Sequence, residues 1–143
     1  MQDVGAGNGG FLWELKKRHV VDAWGYDLMP ENIEHAQKVY DVDVSFMDVT
    51  KGVLPFSDIV VATEILEHLV DPHGMVGQLR SVSRRFIVAS SPAFETPVKH
   101  YEYHLWCWMA DSYVRMFERA GWKILRHYIT PENGTQFILA ETS

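Results

Sequence analysis

Asp3-Val4-Gly5-Ala6-Gly7-Asn8-Gly9-Gly10 reads as a strand end running into a glycine-rich turn, and Phe11 to Arg18 as the helix that follows. Glycines let the backbone take positive φ and let a ligand approach the main chain without a Cβ in the way. The N-terminus of the helix adds free N–H groups and a positive dipole end, suited to an anionic group. Strand, loop and helix together make a nucleotide-type cofactor site. Gly5, Gly7 and Gly10 fit the dinucleotide pattern G-x-G-x-x-G, and Gly5, Gly7 and Gly9 fit G-x-G-x-G equally well. By itself the loop therefore leaves the cofactor open.

Outward from this loop, strands and helices alternate, which predicts a parallel sheet with helices on both faces. Strands are expected at 22–26, 42–46 and 85–89. The apolar run Asp58-Ile59-Val60-Val61-Ala62-Thr63 reads as a strand buried on both faces. Helices are expected at 31–40, opened by Pro30, at 72–81 with Met75, Val76 and Leu79 inward, and at 109–120 with Tyr113, Met116, Phe117 and Ala120 inward. Thr50 to Pro55 is too short for a full helix. Trp122 to Ile129 and Gln136 to Glu141 form a C-terminal hairpin around the turn residues Asn133-Gly134. A parallel sheet ending in an antiparallel hairpin is not the ordinary dinucleotide fold.

The chain of 143 residues suffices for one domain, 1–143, with a real core. A hydrophobic fraction of 47% and a charged fraction of 22% are those of a globular protein. The net charge of −6 argues against nucleic acid or an anionic membrane as partner. The short basic runs Lys16-Lys17-Arg18 and Arg84-Arg85 read as solvated helix ends and loop edges. Cys107 is the only cysteine, which points to a reducing, cytoplasmic compartment. No apolar run reaches the ~18 residues of a membrane span.

Two further acids fall at strand ends. Asp27 can accept hydrogen bonds from ribose hydroxyls, its alternative being a helix cap before Met29-Pro30. Asp48 can accept from the exocyclic amine of an adenine framed by Met47 and Val49, its alternative being a turn before Thr50-Lys51-Gly52. Next comes Thr63-Glu64-Ile65-Leu66-Glu67-His68-Leu69-Val70-Asp71-Pro72. With these motifs in order, the chain resembles the class I S-adenosylmethionine-dependent methyltransferases, in the small group whose fourth strand runs into a Glu-x-x-Glu-His segment. The resemblance extends over nearly the whole chain, from Asp3 to Gly9, through Gly25-Tyr26-Asp27, Met47-Asp48 and Leu54-Pro55-Phe56, to Gly121-Trp122. It implies a Rossmann-like, mostly parallel seven-stranded sheet and S-adenosylmethionine as cofactor. It also implies cofactor contacts at Asp3, Gly5, Ala6, Gly7, Asp27, Leu28, Asp48, Val49 and Glu64. Helices that precede the first strand in the family are absent here, so a truncated form, marginal stability or support from a partner subunit is expected.

The sulfonium methyl is already electrophilic, so transfer needs chiefly positioning and desolvation. A base is needed only where the acceptor must lose a proton. His68 and His104 are the candidates, alongside His100, Tyr101 and Tyr103 in the long aromatic loop 90–108. Glu64, Glu67, His68 and His104 also resemble the metal-binding set of the small-RNA 3′-terminal 2′-O-methyltransferases, and these residue types suit a divalent ion. The reading favoured here is methyl transfer to a small-molecule acceptor. The alternatives are a metal-assisted RNA 2′-O-methyltransferase, a non-catalytic cofactor-binding module, and a nicotinamide-dependent dehydrogenase. Exposed Trp106 or Trp108 would mark a contact surface in a homo-oligomer.

Overall fold

In the computed structural model, which describes residues 1–19 and 21–142, the apolar run at 58–63 becomes a strand with a parallel neighbour on each side. A run without polar alternation suits that place, because neither of its faces meets water. The elements follow as β1 (Gln2–Val4), α1 (Gly10–Arg18), β2 (Trp24–Asp27), α2 (Pro30–His35) and β3 (Val44–Phe46). Then come β4 (Ser57–Thr63), α3 (Pro72–Val82), β5 (Ser83–Pro92), α4 (Ala110–Arg119), β6 (Trp122–Ile129) and β7 (Thr135–Thr142). One seven-stranded sheet has the order β3-β2-β1-β4-β5-β7-β6. It is parallel from β3 to β5, and β7 runs antiparallel between β5 and β6. This is the expected Rossmann-like sheet with a C-terminal hairpin.

β1 is short but central. Gln2 pairs with Trp24 on one side and Val60 on the other. The buried Gln2 side chain donates from Nε2 to the Pro55 carbonyl at 2.8 Å, tying the crossover before β4 to the sheet.

Alternate residues of each strand face opposite layers. Val60 and Ala62, Ile87 and Ala89, and Ile138 and Ala140 pack with Met75, Val76 and Leu79 of α3 and with Tyr113, Met116 and Phe117 of α4. Leu12 of α1 and Ala36 pack with Val42 and Val44 in a second cluster. Beyond these helices, Val88, Arg126, Tyr128, Phe137 and Leu139 line an open groove on the sheet.

Several boundaries differ from expectation. The second helix passes at Ala36–Tyr40 into a wider π turn, which seats the Tyr40 ring on Trp13 with 4.9 Å between centroids. Asp41 ends it in the left-handed region, with φ 51°. β5 runs on to Pro92 because β7 pairs along its whole length, to Pro92↔Thr135. Asn133 and Gly134 lie in the hairpin loop as expected, which has five residues and is closed by Thr130 N donating to Thr135 O at 2.9 Å. Trp108 is not an exposed contact residue. It is 6% exposed, because its ring packs on Tyr113 at the start of α4.

Candidate active site

Strand order reverses between β1 and β4, and such a reversal opens a crevice at the carboxyl ends of the strands. A cleft of about 430 Å³ lies there. Its size is within the roughly 300–1,000 Å³ common for small-molecule sites.

The glycine loop forms one wall. Gly5, Gly7 and Gly9 have φ of 78°, 55° and 81°, whereas Gly10 does not have positive φ. The working pattern is therefore Gly5-x-Gly7-x-Gly9. The Gly5 and Ala6 amides both donate to the Tyr26 carbonyl, at 2.9 and 2.8 Å. A Cβ on Gly5 would lie 2.5 Å from Ile65 Cδ1, while one on Gly7 would meet nothing within 4 Å. Gly5 is thus demanded by packing, and Gly7 faces the open cleft.

Asp27, at the end of β2, braces this loop. Its Oδ2 accepts from the Gly7 amide at 2.8 Å, and its Oδ1 accepts from the Met29 amide at 2.9 Å and Asn32 Nδ2 at 3.1 Å. The capping role weighed from sequence is present. A carboxylate offers about four lone-pair sites, so acceptor capacity toward the cleft is left.

Asp3 lies beneath the loop, 2% exposed, with Oδ1 unpartnered among the described residues. Burial, with the Asp27 charge nearby, pushes its carboxyl up to about 7. Ala6 also lies beneath the cleft, where a Cβ on Gly25 would come within 2.5 Å of it. Leu28, Val49 and Glu64 line the cleft, together with Tyr26, Met47 and Ile65.

Asp48 lines the same cleft but lies just past β3. Its Oδ1 accepts from Thr50 N at 3.1 Å and Thr50 Oγ1 at 2.6 Å, and its Oδ2 pairs with Lys51 at 2.8 Å. The Lys51 ammonium, with the Thr50 hydroxyl, holds its carboxyl down at about 2.

After β4, Glu64 takes φ 51°, a conformation uncommon for a side chain other than glycine and one that concentrates at functional sites. Its Oε1 accepts from Ser90 Oγ at 2.7 Å. Glu64 also borders a second cleft of about 520 Å³, walled by Phe94, Glu95, Lys99, His100 and Gly134.

His68 lines the cofactor-sized cleft. Its Nδ1 faces the Tyr103 carbonyl at 3.1 Å, and its ring meets His104 edge-on at 4.7 Å. One donor atom each of Glu67, His68 and His104 lie within 4.8 Å of one another. The Glu67 carboxylate is fully buried, and neither oxygen has a hydrogen-bond partner of ordinary geometry among the described residues. Burial, with the Glu64 charge adding to it, pushes Glu67 up to about 7. The loop 93–109, between β5 and α4, carries His104. The Glu67 carbonyl accepts from the Leu105 and Trp106 amides at 2.7 and 3.3 Å, which pins that loop to the turn Leu66–His68 after β4.

Sequence reasoning missed Asn32 and Glu95. Asn32 carried a local signal, lying in the first turn of the helix that Asp27 caps. Glu95 carried none, because its partner His104 lies nine residues away across an irregular loop.

A methyltransferase-domain family model matches residues 3–127. The chain belongs to the methyltransferase-domain family. The match settles what the glycine loop left open: a methyltransferase domain takes S-adenosylmethionine as its cofactor, and the protein is an enzyme. Among solved structures, the methyltransferase superposes on magnesium protoporphyrin IX methyltransferase from Synechocystis PCC 6803 with bound S-adenosylhomocysteine. That TM-score is 0.79 at 17% identity, over 99% of this chain and 73% of that one. An S-adenosylmethionine-dependent methyltransferase from Mesorhizobium loti gives 0.79 at 13% identity, over 98% and 89%. The [4+2]-cyclase SpnF gives 0.85 at 12% identity, over 99% and 74%. These likenesses are of fold, and the cyclase illustrates how one fold serves different chemistry. No curated protein matches the chain. No helix among the described residues is long and apolar enough to cross a membrane.

The cleft fits this cofactor on its own chemistry. Its apolar walls suit an adenine, Asp27 suits a diol, and Gly7 leaves open space where a side chain would intrude.

Proposed function

We propose that this methyltransferase methylates a small acceptor seated in the second cleft, beside Glu64. The observation that carries the reading is the shared wall. Glu64 borders both the glycine-loop cleft and the 520 Å³ cleft, so ligands in the two would meet there. When bound, the cofactor supplies an electrophilic sulfonium methyl.

The chain's own groups do the rest. Asp27 takes the ribose hydroxyls, Asp48 and the apolar residues Leu28, Met47 and Val49 take the adenine, and Gly5, Ala6 and Gly7 cradle the methionine part. Asp3 supports the loop from below. His68 faces the cofactor cleft and accepts a proton from an acidic acceptor group, with His104 packed against it.

Surface charge favours a small acceptor over nucleic acid. Lys17 and Arg18 are paired with Glu14, and Arg84 lies 3.8 Å from Asp58, so the basic runs are partly compensated. The single cysteine, Cys107, supports a reducing, cytoplasmic location.

The test is formation of S-adenosylhomocysteine from S-adenosylmethionine across a panel of small alcohols, phenols, amines and thiols. Turnover that falls by about 10²–10⁴-fold in His68→Ala supports the reading. Binding of cofactor without turnover on any member contradicts it and makes the protein a cofactor-binding interaction module.

A second reading, metal-assisted 2′-O-methylation of RNA, is favoured by the Glu67–His68–His104 cluster alone. Two imidazoles and a carboxylate suit Mn²⁺ or Mg²⁺. The Glu64 side chain stands outside that donor set, bonded to Ser90. Mn²⁺ binding lost in Glu67→Gln, with RNA methylation that stops on chelation, selects this reading. Absence of Mn²⁺ binding removes it.

A further inference from the structure

We infer that Glu95 is a positioning residue of this site, holding His104, which stands beside Glu67 and His68, in the tautomer that leaves its Nε2 bare. The inference rests on the histidines being working groups, as read above, and it applies whether their task is to take a proton or to hold a cation.

The geometry is specific. His104 Nδ1 lies 2.6 Å from Glu95 Oε2, and the two side chains are only 10% and 19% exposed. A carboxylate can only accept, so the proton of this bond sits on Nδ1 of the imidazole. In neutral imidazole the other nitrogen is then the free acceptor. Carboxylates hold metal-bound and catalytic histidines in this way.

Glu95 is itself fixed. Its Oε1 accepts from the Tyr101 amide at 3.0 Å, so both oxygens are engaged and the carboxylate cannot swing away without losing two bonds. The His104 ring is held from its sides as well, edge-on to His68 at 4.7 Å and to Tyr101 at 5.1 Å. His68 shows the same arrangement more weakly, its Nδ1 facing the Tyr103 carbonyl at 3.1 Å. Both rings thus turn Nδ1 to acceptors supplied by the loop 93–109, which leaves Nε2 as the lone-pair atom of each.

A purely structural ion pair would need none of this. Surface carboxylate–imidazole pairs are exposed and worth little, whereas this one is shielded and holds a ring within 4.8 Å of Glu67, a buried carboxylate without a partner of ordinary geometry among the described residues. Glu95 also borders the second cleft, while His68 borders the first. His104 stands between them, bonded to Glu95 and edge-on to His68.

The experiment is long-range ¹H–¹⁵N NMR of the histidines in the full chain, at alkaline pH where imidazoles are neutral, with His104→Gln assigning the signal. The expected result is Nδ1–H for His104. In Glu95→Leu the population shifts toward Nε2–H by about tenfold or more, as loss of a charge-assisted bond requires. In Glu95→Gln, whose amide oxygen still accepts, the Nδ1–H form is retained. An Nε2–H His104 in the unaltered protein, or an unchanged ratio in a folded Glu95→Leu, overturns the inference. If Glu95→Leu does not fold, the spectrum of the unaltered protein decides alone. Titration of the same samples with S-adenosylhomocysteine separates the two failures. Absence of binding in the unaltered protein contradicts the methyltransferase reading, whereas normal binding with the wrong tautomer contradicts only the role of Glu95.

Discussion

The Gly7 amide donates to Asp27 Oδ2 at 2.8 Å, across twenty residues of chain. One carboxylate therefore sets the shape of the glycine loop and faces the ligand that the loop receives.

Asp27→Ala removes both roles. Cofactor affinity is expected to fall by about 1.5–3 kcal/mol, the scale of a hydrogen bond to a charged group. Titration with S-adenosylhomocysteine checks this. Unchanged affinity would reduce Asp27 to a loop brace and a cap.

Glycine positions separate binding from folding. A Cβ at Gly7 meets nothing, so Gly7→Val places its side chain in the cleft and abolishes cofactor binding. The fold loses only about 1–2 kcal/mol for the left-handed backbone. At Gly25 a Cβ would lie 2.5 Å from Ala6 Cβ, so Gly25→Ala overpacks the sheet and costs about 1–3 kcal/mol of stability. Thermal melts of both variants should therefore fall, and ligand titration should separate them, with binding abolished in Gly7→Val and retained by folded Gly25→Ala.

Asp3 makes stability depend on pH. Its carboxyl is raised from 3.8 to about 7 in the folded chain. Below the lower value both states hold the proton and there is no penalty. Between the two values the unfolded chain releases it while the folded chain retains it, so stability falls as pH rises through that window and levels off above it. Melting temperatures of the unaltered protein should fall from pH 5 to pH 7 relative to those of Asp3→Asn, which has no proton to lose. Parallel curves would refute the assignment.

Trp108 anchors the loop that carries Glu95 and His104. It packs between Trp106 and Tyr113, and its carbonyl accepts from Gln136 Nε2 at 3.2 Å. Trp108→Ala is expected to cost about 3–5 kcal/mol in denaturant unfolding, the range for a large buried aromatic. A loss below about 1 kcal/mol would show that the loop is held elsewhere.

What the sequence revealed was local. Gly5 and Gly7 were common to both patterns the loop fits, because few other residues tolerate positive φ, and Asp27 follows at the end of the next strand, whereas the choice of Gly9 over Gly10 came from the structure. The pairs Asp48–Lys51 and Asp48–Thr50 were equally local, but short spacing cannot tell a turn from an adenine contact, so both readings stood. The extension of β5 to Pro92 was hidden because it is imposed by Thr135, far along the chain. The burial of Trp108 was hidden likewise, since it depends on how the following helix docks. The Glu95–His104 bond depends on the path of an irregular loop, for which periodicity offers no guide.

The most direct measurement is calorimetric titration of the protein with S-adenosylhomocysteine, repeated with NAD. The account predicts micromolar binding of the first, lost in Gly7→Val, and none of the second. Binding of NAD alone, or full retention of S-adenosylhomocysteine binding in Gly7→Val, would contradict it.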